Sequence, residues 1–157
     1  MRLRKALTRK RQHATAIAVV VVVTDQLTKL WAVGALTDGP IDIIPGLLRF
    51  RLTENSGSAF SLFQNSGQLL GVAAIAAALL ILVSVEQTSR RQELAGMALI
   101  LGGAVGNLVD RVIRGTAWLD GAVVDFIDLT RWPTFNVADS AITIGAGLLL
   151  WAAIRNR

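Results

Sequence analysis

Residues 67–85 read GQLLGVAAIAAALLILVSV and decide the fold class of this chain. The run contains no charged side chain, and at ~1.5 Å per residue its length matches the ~30 Å hydrocarbon core of a bilayer. Lipid offers no hydrogen-bond partners, so each backbone polar group must be paired inside the segment, as it is in a helix. The run therefore predicts a membrane-spanning helix.

Three further apolar runs have a similar length. The chain has 157 residues, of which 53% are hydrophobic, and its mean hydropathy is +0.54. A water-soluble domain of this size needs more polar surface than that. We expect a membrane α-helical fold, with one integral-membrane domain over residues 1–157 and transmembrane helices at about 14–36, 67–85, 94–113 and 138–154.

Basic residues predict the orientation of these helices. Six of the 16 Lys and Arg residues fall in the first eleven positions, and the formal net charge is +5. The positive-inside rule then places both termini in the cytoplasm. The basic start followed by an apolar run imitates a signal peptide, but the run continues past Asp25 without a clear cleavage site, and we interpret it as a retained helix.

The segment between the first two predicted helices has a different pattern. Leu48, Phe50 and Leu52 alternate with polar residues, which indicates a strand, and the following ENSG indicates a turn. We expect a small β-sheet from about residues 41–66, lying on the outer membrane surface.

Cysteine and histidine are nearly absent from the chain. There is no cysteine, which excludes disulfides, thiol catalysis and cysteine-ligated metal. His13 is the sole histidine, so a Ser-His triad or a multi-histidine metal site is hard to build.

Two charged residues interrupt the first predicted helix. Asp25 and Lys29 are four residues apart, so they share a helix face and can pair. Polar residues inside spanning helices indicate function by default. A structural ion pair facing the bundle explains these two equally well. Gly102 and Gly106 in the third helix have the spacing of residues that permit close helix packing.

The third helix ends in GNLVDRVI, which gathers polar side chains near the outer surface. Asn107 and Arg111 are four apart and can face the same pocket, while Asp110 can pair with Arg111 or with Arg114. Anchoring at the membrane interface is one interpretation. It does not account for Asn107, because an amide within a spanning helix needs a specific partner.

Residues 121–141, GAVVDFIDLTRWPTFNVADSA, bring carboxylates to the start of the fourth helix. If Asp125 and Asp139 converge, they would share one proton and titrate as a coupled pair. Such a pair supplies an acid and a base for hydrolysing an amide. Alternatively, Asp139 is a helix cap and Asp125 a loop charge, and Asp128 is a third candidate that physical reasoning leaves open.

Five motifs, taken together in their order along the chain, resemble one family. DQLTK, NSGSAF, GNLVDR, VVDF and FNVAD, together with four spanning segments, are similar to the bacterial lipoprotein signal peptidases, also called type II signal peptidases. The resemblance implies catalytic aspartates at Asp125 and Asp139, and no cofactor or metal. It further implies that substrate-binding or site-supporting residues are Asp25, Lys29, Asn55, Gly57, Asn107, Asp110, Arg111 and Asn136.

The same resemblance implies an activity and a location. It suggests an aspartic endopeptidase that removes the signal peptide from diacylglyceryl-modified prolipoproteins by cutting on the N-terminal side of the lipidated cysteine. We expect a multi-pass protein of the bacterial cell membrane, monomeric, with its active site at the outer face. Its partners would be lipid-modified prolipoproteins and membrane lipid, and no nucleic acid. The family fold adds a β-sheet cradle and a helical extension to the four helices.

Two other functions fit part of the pattern. The intramembrane charges suit a small transporter or a proton-pathway subunit, which would show ion flux and no precursor cleavage. A purely structural subunit would tolerate replacement of both aspartates and the two asparagines, Asn107 and Asn136.

Overall fold

The computed structural model of the chain describes residues 2–57, 67–88 and 90–155. Ser58 to Phe60 of the NSGSAF motif therefore lie outside the described residues. Within these ranges the expected helical extension is not present as a fifth helix. In chain order the elements are α1 Arg2–Ala35, β1 Ile41–Ile44, β2 Leu48–Asn55, α2 Gly67–Ser84, α3 Arg91–Ile113, β3 Val123–Leu129 and α4 Val137–Arg155.

Four helices are long and apolar enough to cross a membrane: residues Arg9–Ala35 of α1 and the whole of α2, α3 and α4. Their outward faces carry large exposed apolar side chains, as lipid-facing surfaces require. Together with the sheet, this confirms the predicted fold class. One boundary differs, since α1 begins at Arg2 and not near residue 14. The basic N-terminal segment is helical because Lys, Arg, Leu and Ala all favour helix.

Helix α3 is the centre of the bundle, and it contacts each of the other three helices. Glycines permit this close approach. A Cβ on Gly102 would lie 2.7 Å from Val21 Cβ of α1, and one on Gly106 would lie 2.8 Å from Asp25 Oδ2. The predicted role of these two glycines in helix packing agrees with these contacts. Among the described helices and strands, α2 contacts α3 alone.

The three strands form one antiparallel sheet in the order β1-β2-β3. Strand β3 was not predicted, and the physical reason is its burial. From Val123 to Phe126 both faces are covered, so the apolar–polar alternation that reveals a half-exposed strand is missing. Its register places Asp125 opposite Thr53 of β2.

Aromatic side chains fix the sheet against the end of α1. The rings of Trp31 and Phe50 lie 5.4 Å apart, and those of Trp31 and Phe126 lie 6.0 Å apart, both edge to face. Phe126 also packs on the buried Ala32 and Leu36. The sheet thus sits at the end of the bundle where α1 and α3 end and α4 begins.

Candidate functional site

The first turn of α4 is fixed by two reciprocal hydrogen bonds. Oδ1 of Asn136 accepts the backbone N–H of Asp139 at 2.9 Å. Oδ2 of Asp139 accepts the backbone N–H of Asn136 at 3.3 Å. This is a capping box, in which the cap residue and the third helical residue satisfy each other's backbone donors. The helix-cap interpretation of Asp139 is therefore correct in part, with Asn136 at the cap position.

Asp125 reaches the same asparagine from strand β3. The side-chain nitrogen of Asn136 donates to Oδ1 of Asp125 at 2.7 Å. The side-chain nitrogen of Asn55 donates to Oδ2 of Asp125 at 3.0 Å. Asn55 lies opposite Val123 in the sheet, so its side chain meets Asp125 as a diagonal neighbour across the strands.

Gly57 positions Asn55. Its backbone N–H donates to Oδ1 of Asn55 at 2.9 Å, which turns the amide nitrogen of Asn55 toward Asp125. Gly57 has a φ of +102°, a conformation that an L side chain rarely adopts. This local turn brings a backbone donor back onto the side chain two residues earlier.

Lys29 is fully buried and occupies the middle of a polar cluster. Its Nζ lies 2.8 Å from Oδ2 of Asp25 and 2.9 Å from Oδ2 of Asp110, and it donates to Oδ1 of Asn107 at 3.0 Å. An ammonium group has three donors, and all three are used. The predicted Asp25–Lys29 pair is present, as one part of this larger cluster.

The cluster also holds the backbone of the two segments that carry the carboxylates. Oδ1 of Asp25 accepts the N–H of Ala138 at 2.9 Å, and Oδ2 of Asp110 accepts the N–H of Val124 at 3.1 Å. Val124 precedes Asp125 and Ala138 precedes Asp139. The buried ion pairs of α1 and α3 thus set the positions of β3 and of the first turn of α4.

Asn107 connects this cluster to Asp139. Its side-chain nitrogen donates to Oδ1 of Asp139 at 2.8 Å, and its Oδ1 accepts from Asn136 at 3.1 Å as well as from Lys29. The specific partners that an amide in a spanning helix requires are therefore Lys29, Asn136 and Asp139. Each oxygen of Asp125 and Asp139 accepts one of the bonds described above, and a carboxylate oxygen can accept two.

Burial sets the protonation of Asp125, whose residue is 2% exposed. Desolvation, followed by the negative charge of Asp139, raises the pKa of Asp125 to about 6. Hydrogen bonds from Asn55 and Asn136, and the charge of Lys29, oppose this increase. A carboxyl with such a pKa keeps its proton to a much higher pH than an exposed aspartate does.

Asp128 lies apart from this arrangement. Its Oδ2 is 2.7 Å from Nε of Arg49 and 2.9 Å from Nε of Arg51. Burial alone would raise the pKa of Asp128, but the hydrogen bonds and charges of the two arginines outweigh it, and the pKa is lowered. The structure thus brings Asp125 and Asp139 together through Asn136 and leaves Asp128 in a separate ion-pair group.

Asp139 lines two apolar depressions, which otherwise involve different residues of α4. The first, here called the α2–α4 cleft, has a volume of about 360 Å³ and runs between α2 and α4 over α3. Asn55, Asn107 and Arg111 line it near Asp139, and Ala73, Ala74, Ala77 and Ala104 are among the residues along its length. Asn107 and Arg111 face the same pocket, as their spacing predicted.

The second depression, here called the Trp132 groove, has a volume of about 370 Å³. Its lining residues are Leu129, Trp132, Phe135, Asp139, Ser140, Thr143 and Ile144. Asp139 therefore separates two apolar spaces, one along the helices and one beside the end of the sheet.

The sequence analysis missed Gln26 and left the partner of Asp110 undecided. Gln26 had no predicted role, yet its side-chain nitrogen donates to the carbonyl of Gly106 at 3.1 Å and lies 3.3 Å from Oδ1 of Asp110. A polar residue between Asp25 and Lys29 in a spanning helix was the available signal. Of the two partners considered for Asp110, the structure pairs it with Arg114, at 3.3 Å.

No group of three or more His, Cys, Asp or Glu residues in the described parts of the chain could hold a metal ion. The donors and acceptors around Asp125 and Asp139 are amides, carboxylates and one lysine, arranged to fix two carboxyl groups.

Comparison with known proteins gives consistent matches. The family model described as "Signal peptidase (SPase) II" matches residues 17–155. A lipoprotein signal peptidase of Rhodococcus jostii is 43% identical over 136 residues, covering 85% of this chain and 68% of that protein. A lipoprotein signal peptidase of Polynucleobacter necessarius is 41% identical over 152 residues, covering 89% of this chain and 88% of that protein.

A solved structure has the same architecture. It is titled "Bacterial membrane enzyme structure by the in meso method at 1.9 A resolution" and superimposes with a TM-score of 0.81 at 28% sequence identity. The superposition covers 93% of this chain and 95% of the solved one.

Proposed function

Because this chain belongs to the signal peptidase II family, we propose that it is an aspartic endopeptidase that removes signal peptides from diacylglyceryl-modified prolipoproteins, cutting on the N-terminal side of the lipidated cysteine. The observation that carries the aspartic mechanism is the pair of contacts made by Asn136. Its side chain binds the carboxyl of Asp125 and the backbone N–H of Asp139 at the same time.

Asp125 and Asp139 have different environments, which supports different roles. Asp125 is buried and has a pKa raised to about 6, which supports it as the member of the pair that carries the proton below that pH. Asp139 lines both the α2–α4 cleft and the Trp132 groove, where water and the substrate arrive. Asp125 then acts as the general acid and Asp139 as the general base.

The reaction balances with one water molecule. Asp139 takes a proton from water while the water oxygen bonds to the scissile carbonyl carbon, and Asp125 gives its proton to the carbonyl oxygen. The tetrahedral intermediate then breaks its carbon–nitrogen bond. The nitrogen of the lipidated cysteine gains a proton and the signal peptide leaves with a new carboxyl group, and the pair retains one proton.

The α2–α4 cleft is suited to the signal peptide. Its alanines allow a helix to approach closely. Where the peptide unwinds near the reacting bond, its carbonyl groups need donors inside the membrane. Nη1 of Arg111 is buried and has no hydrogen-bond partner among the described residues, and it lines the cleft with Asn55 and Asn107. Arg111 and these two amides would hold the peptide backbone.

The remaining predicted site residues would act as positioning groups. Asp25 and Asp110 bind the backbone N–H groups next to Asp139 and Asp125 respectively, and Lys29 neutralises both. Gly57 orients Asn55. These contacts support a site whose two carboxyl groups are placed before the substrate binds.

We assign the protein to the bacterial cell membrane as a multi-pass monomer without a cofactor. The excess of Lys and Arg at the N-terminal end of α1 supports cytoplasmic termini and a site at the outer face. Lipidated prolipoproteins and membrane lipid would be its partners, and nucleic acid would not. The bilayer would hold enzyme and substrate in one plane, which helps to position the scissile bond.

Three matched substitutions test the aspartic mechanism. Asp125→Asn and Asp139→Asn should abolish cleavage of a purified lipidated precursor while insertion and thermal stability are retained. Asp128→Asn serves as the control, because Asp128 lies three residues from Asp125 in the same strand and pairs with Arg49 and Arg51. It should cleave at near the wild-type rate. Near-normal turnover by either of the first two variants would refute the assignment.

The transporter interpretation receives less support from the geometry. The buried charges of Asp25, Lys29, Asp110 and Asp125 gather at one end of the bundle, and α2 carries no charge. A route across the bilayer would need polar groups along its whole length. Flux measurements in vesicles should therefore show no ion transport that depends on the membrane potential.

A further inference from the structure

The Trp132 groove is apolar although two hydroxyl residues line it. Oγ of Ser140 donates to the carbonyl of Asn136 at 3.0 Å, and Oγ1 of Thr143 donates to the carbonyl of Asp139 at 2.9 Å. Both hydroxyl hydrogens are thus used within α4. Apart from Asp139 and the indole N–H of Trp132, the groove presents ring and aliphatic carbon from Leu129, Trp132 and Phe135.

The groove opens on the outside of the bundle. Ile144 is 58% exposed and Trp132 is 68% exposed, so an occupant enters from the lipid. From Asp139 to Ile144 the groove follows α4 for about 7 Å at ~1.5 Å per residue. Tryptophan is frequent at the level of lipid headgroups, where its ring meets the start of the acyl chains.

The two spaces beside Asp139 differ in the donors they offer. The α2–α4 cleft has Nη1 of Arg111, which has no hydrogen-bond partner within the described ranges, and two side-chain amides, and these donors suit a peptide with carbonyl groups to satisfy. The described residues that line the Trp132 groove offer no charged donor and expose mainly carbon, which suits a hydrocarbon chain. A substrate cut at Asp139 has one arm of each kind, since the peptide lies on one side of the bond and the lipidated cysteine on the other.

We propose that the Trp132 groove binds the first part of an acyl chain of the diacylglyceryl group on the substrate cysteine, and that Trp132 is a determinant of specificity for lipidated substrates. This inference rests on the proposed function, because it assumes cleavage beside a lipidated cysteine. The inference goes beyond the proposed function because it places the acyl chain between the end of β3 and the first two turns of α4, and the signal peptide in the α2–α4 cleft.

Two precursors and two variants test the inference. The precursors share one peptide and carry either two palmitoyl or two acetyl groups on the glyceryl cysteine. Trp132→Ala removes a wall of the groove. Trp118→Ala is the matched control, because Trp118 is 67% exposed and Trp132 is 68% exposed, and Trp118 lies outside the groove. The measurement is kcat/KM for each precursor at a constant ratio of substrate to detergent.

Trp132→Ala should lower kcat/KM for the palmitoyl precursor by roughly tenfold, as expected for the loss of one aromatic wall, and leave the acetyl precursor within about twofold. Trp118→Ala should leave the ratio between the two precursors as in the wild type. An equal loss for both precursors, or none, would overturn the lipid assignment. If the wild type cleaves neither precursor, the proposed function itself fails, and this outcome is distinct from the previous one.

Cross-linking locates the acyl chain directly. A precursor with a photoreactive group early in one acyl chain should label residues 140–144 in Asp139→Asn, in which the substrate stays bound. Filling the groove by Thr143→Phe should abolish this label. Labelling of the α2 face of the cleft in its place, or equal labelling of residues 140–144 by a photoreactive phospholipid, would contradict the proposal.

Discussion

Asn136 lies with its side-chain nitrogen 2.7 Å from Oδ1 of Asp125, although Asp125 is in a strand and Asn136 begins a helix. The same side chain caps α4 through its oxygen. One amide therefore fixes the distance between a sheet residue and the first turn of a helix. Because the nitrogen contacts Asp125 and the oxygen caps α4, variants that keep only the cap can distinguish the effect on Asp125 from the effect on the helix.

Asn136→Ala and Asn136→Ser form such a pair. Both remove the donor to Asp125 and should lower turnover by roughly 100-fold or more, comparable to the loss of one preorganised donor. Serine can still cap the helix, so only the alanine variant should lose a further ~1 kcal/mol of stability. The measurements are precursor turnover and thermal unfolding in detergent. Wild-type turnover by Asn136→Ser would show that the contact with Asp125 has no role in catalysis.

The pH dependence should report the proton on Asp125. Since the pKa of this carboxyl is raised to about 6, its proton is present below that pH in the free enzyme and is lost as the pH rises through it. Above that pH the pair has no acid, and kcat/KM should decrease. The check is a pH profile of kcat/KM measured on the lipidated precursor. A profile that stays flat from pH 5 to 8 would contradict a proton shared by this pair.

Removing the neighbouring charge should shift this titration. In Asp139→Asn the repulsion from Asp139 is absent, and the pKa of Asp125 should move below about 6. Infrared absorption of the protonated carboxyl, followed against pH, measures the change without a need for activity. The Asp128→Asn variant provides the reference, and its Asp125 signal should titrate as in the wild type.

Lys29→Met should destabilise the fold strongly. It would leave Asp25 buried without its cation and Asp110 with Arg114 alone, and removal of one partner from a buried ion pair costs roughly 3–5 kcal/mol. Lys10→Met is the control, because Lys10 is partly exposed and makes one hydrogen bond, to the carbonyl of Thr88. Lys10→Met should lower the free energy of unfolding by less than about 1 kcal/mol. Thermal unfolding measures both, and adding Asp110→Asn to Lys29→Met should recover part of the loss.

Gly103→Ala should separate α3 from α4. A Cβ on Gly103 would meet the carbonyl oxygen of Ala138 and lie 2.7 Å from Cγ1 of Ile142. Overpacking of this kind costs about 1–3 kcal/mol, and it would displace Asp139, so turnover should fall as well. Gly147→Ala is the matched control in α4, since nothing lies within 4 Å of its Cβ position. Equal stability and turnover of the two variants would show that α3 and α4 tolerate a wider spacing.

Much of the fold could be predicted because lipid imposes strict rules. The uncharged run at residues 67–85 predicted α2 to within one residue of its observed end at Ser84. The alternation at Leu48, Phe50 and Leu52 predicted β2, because one face of that strand is more exposed than the other. Strand β3 was missed because its first four residues are buried on both faces and have no alternation.

The contacts within the site could be predicted less well than the fold from the spacing of residues alone. The Asp25–Lys29 pair follows from helix geometry, since both residues are on one helix. The contacts of Lys29 with Asp110 and of Asn107 with Asp139 join different helices, so no local pattern contains them. Spacing left Asp128 open beside Asp125; the family resemblance favoured Asp125, and the structure adds that Arg49 and Arg51 of the neighbouring strand pair with Asp128.

The attachment of α2 has a consequence for how a membrane-bound chain reaches Asp139. Of the described helices and strands, only α3 contacts α2, while Gly71 near its start approaches the side chain of Leu119. A helix held along one side and near one end can lean outward at modest cost, because few packed surfaces must separate. We therefore expect α2 to move away from α3 and to let a substrate helix enter laterally from the bilayer, while Asp125 and Asp139 keep their positions.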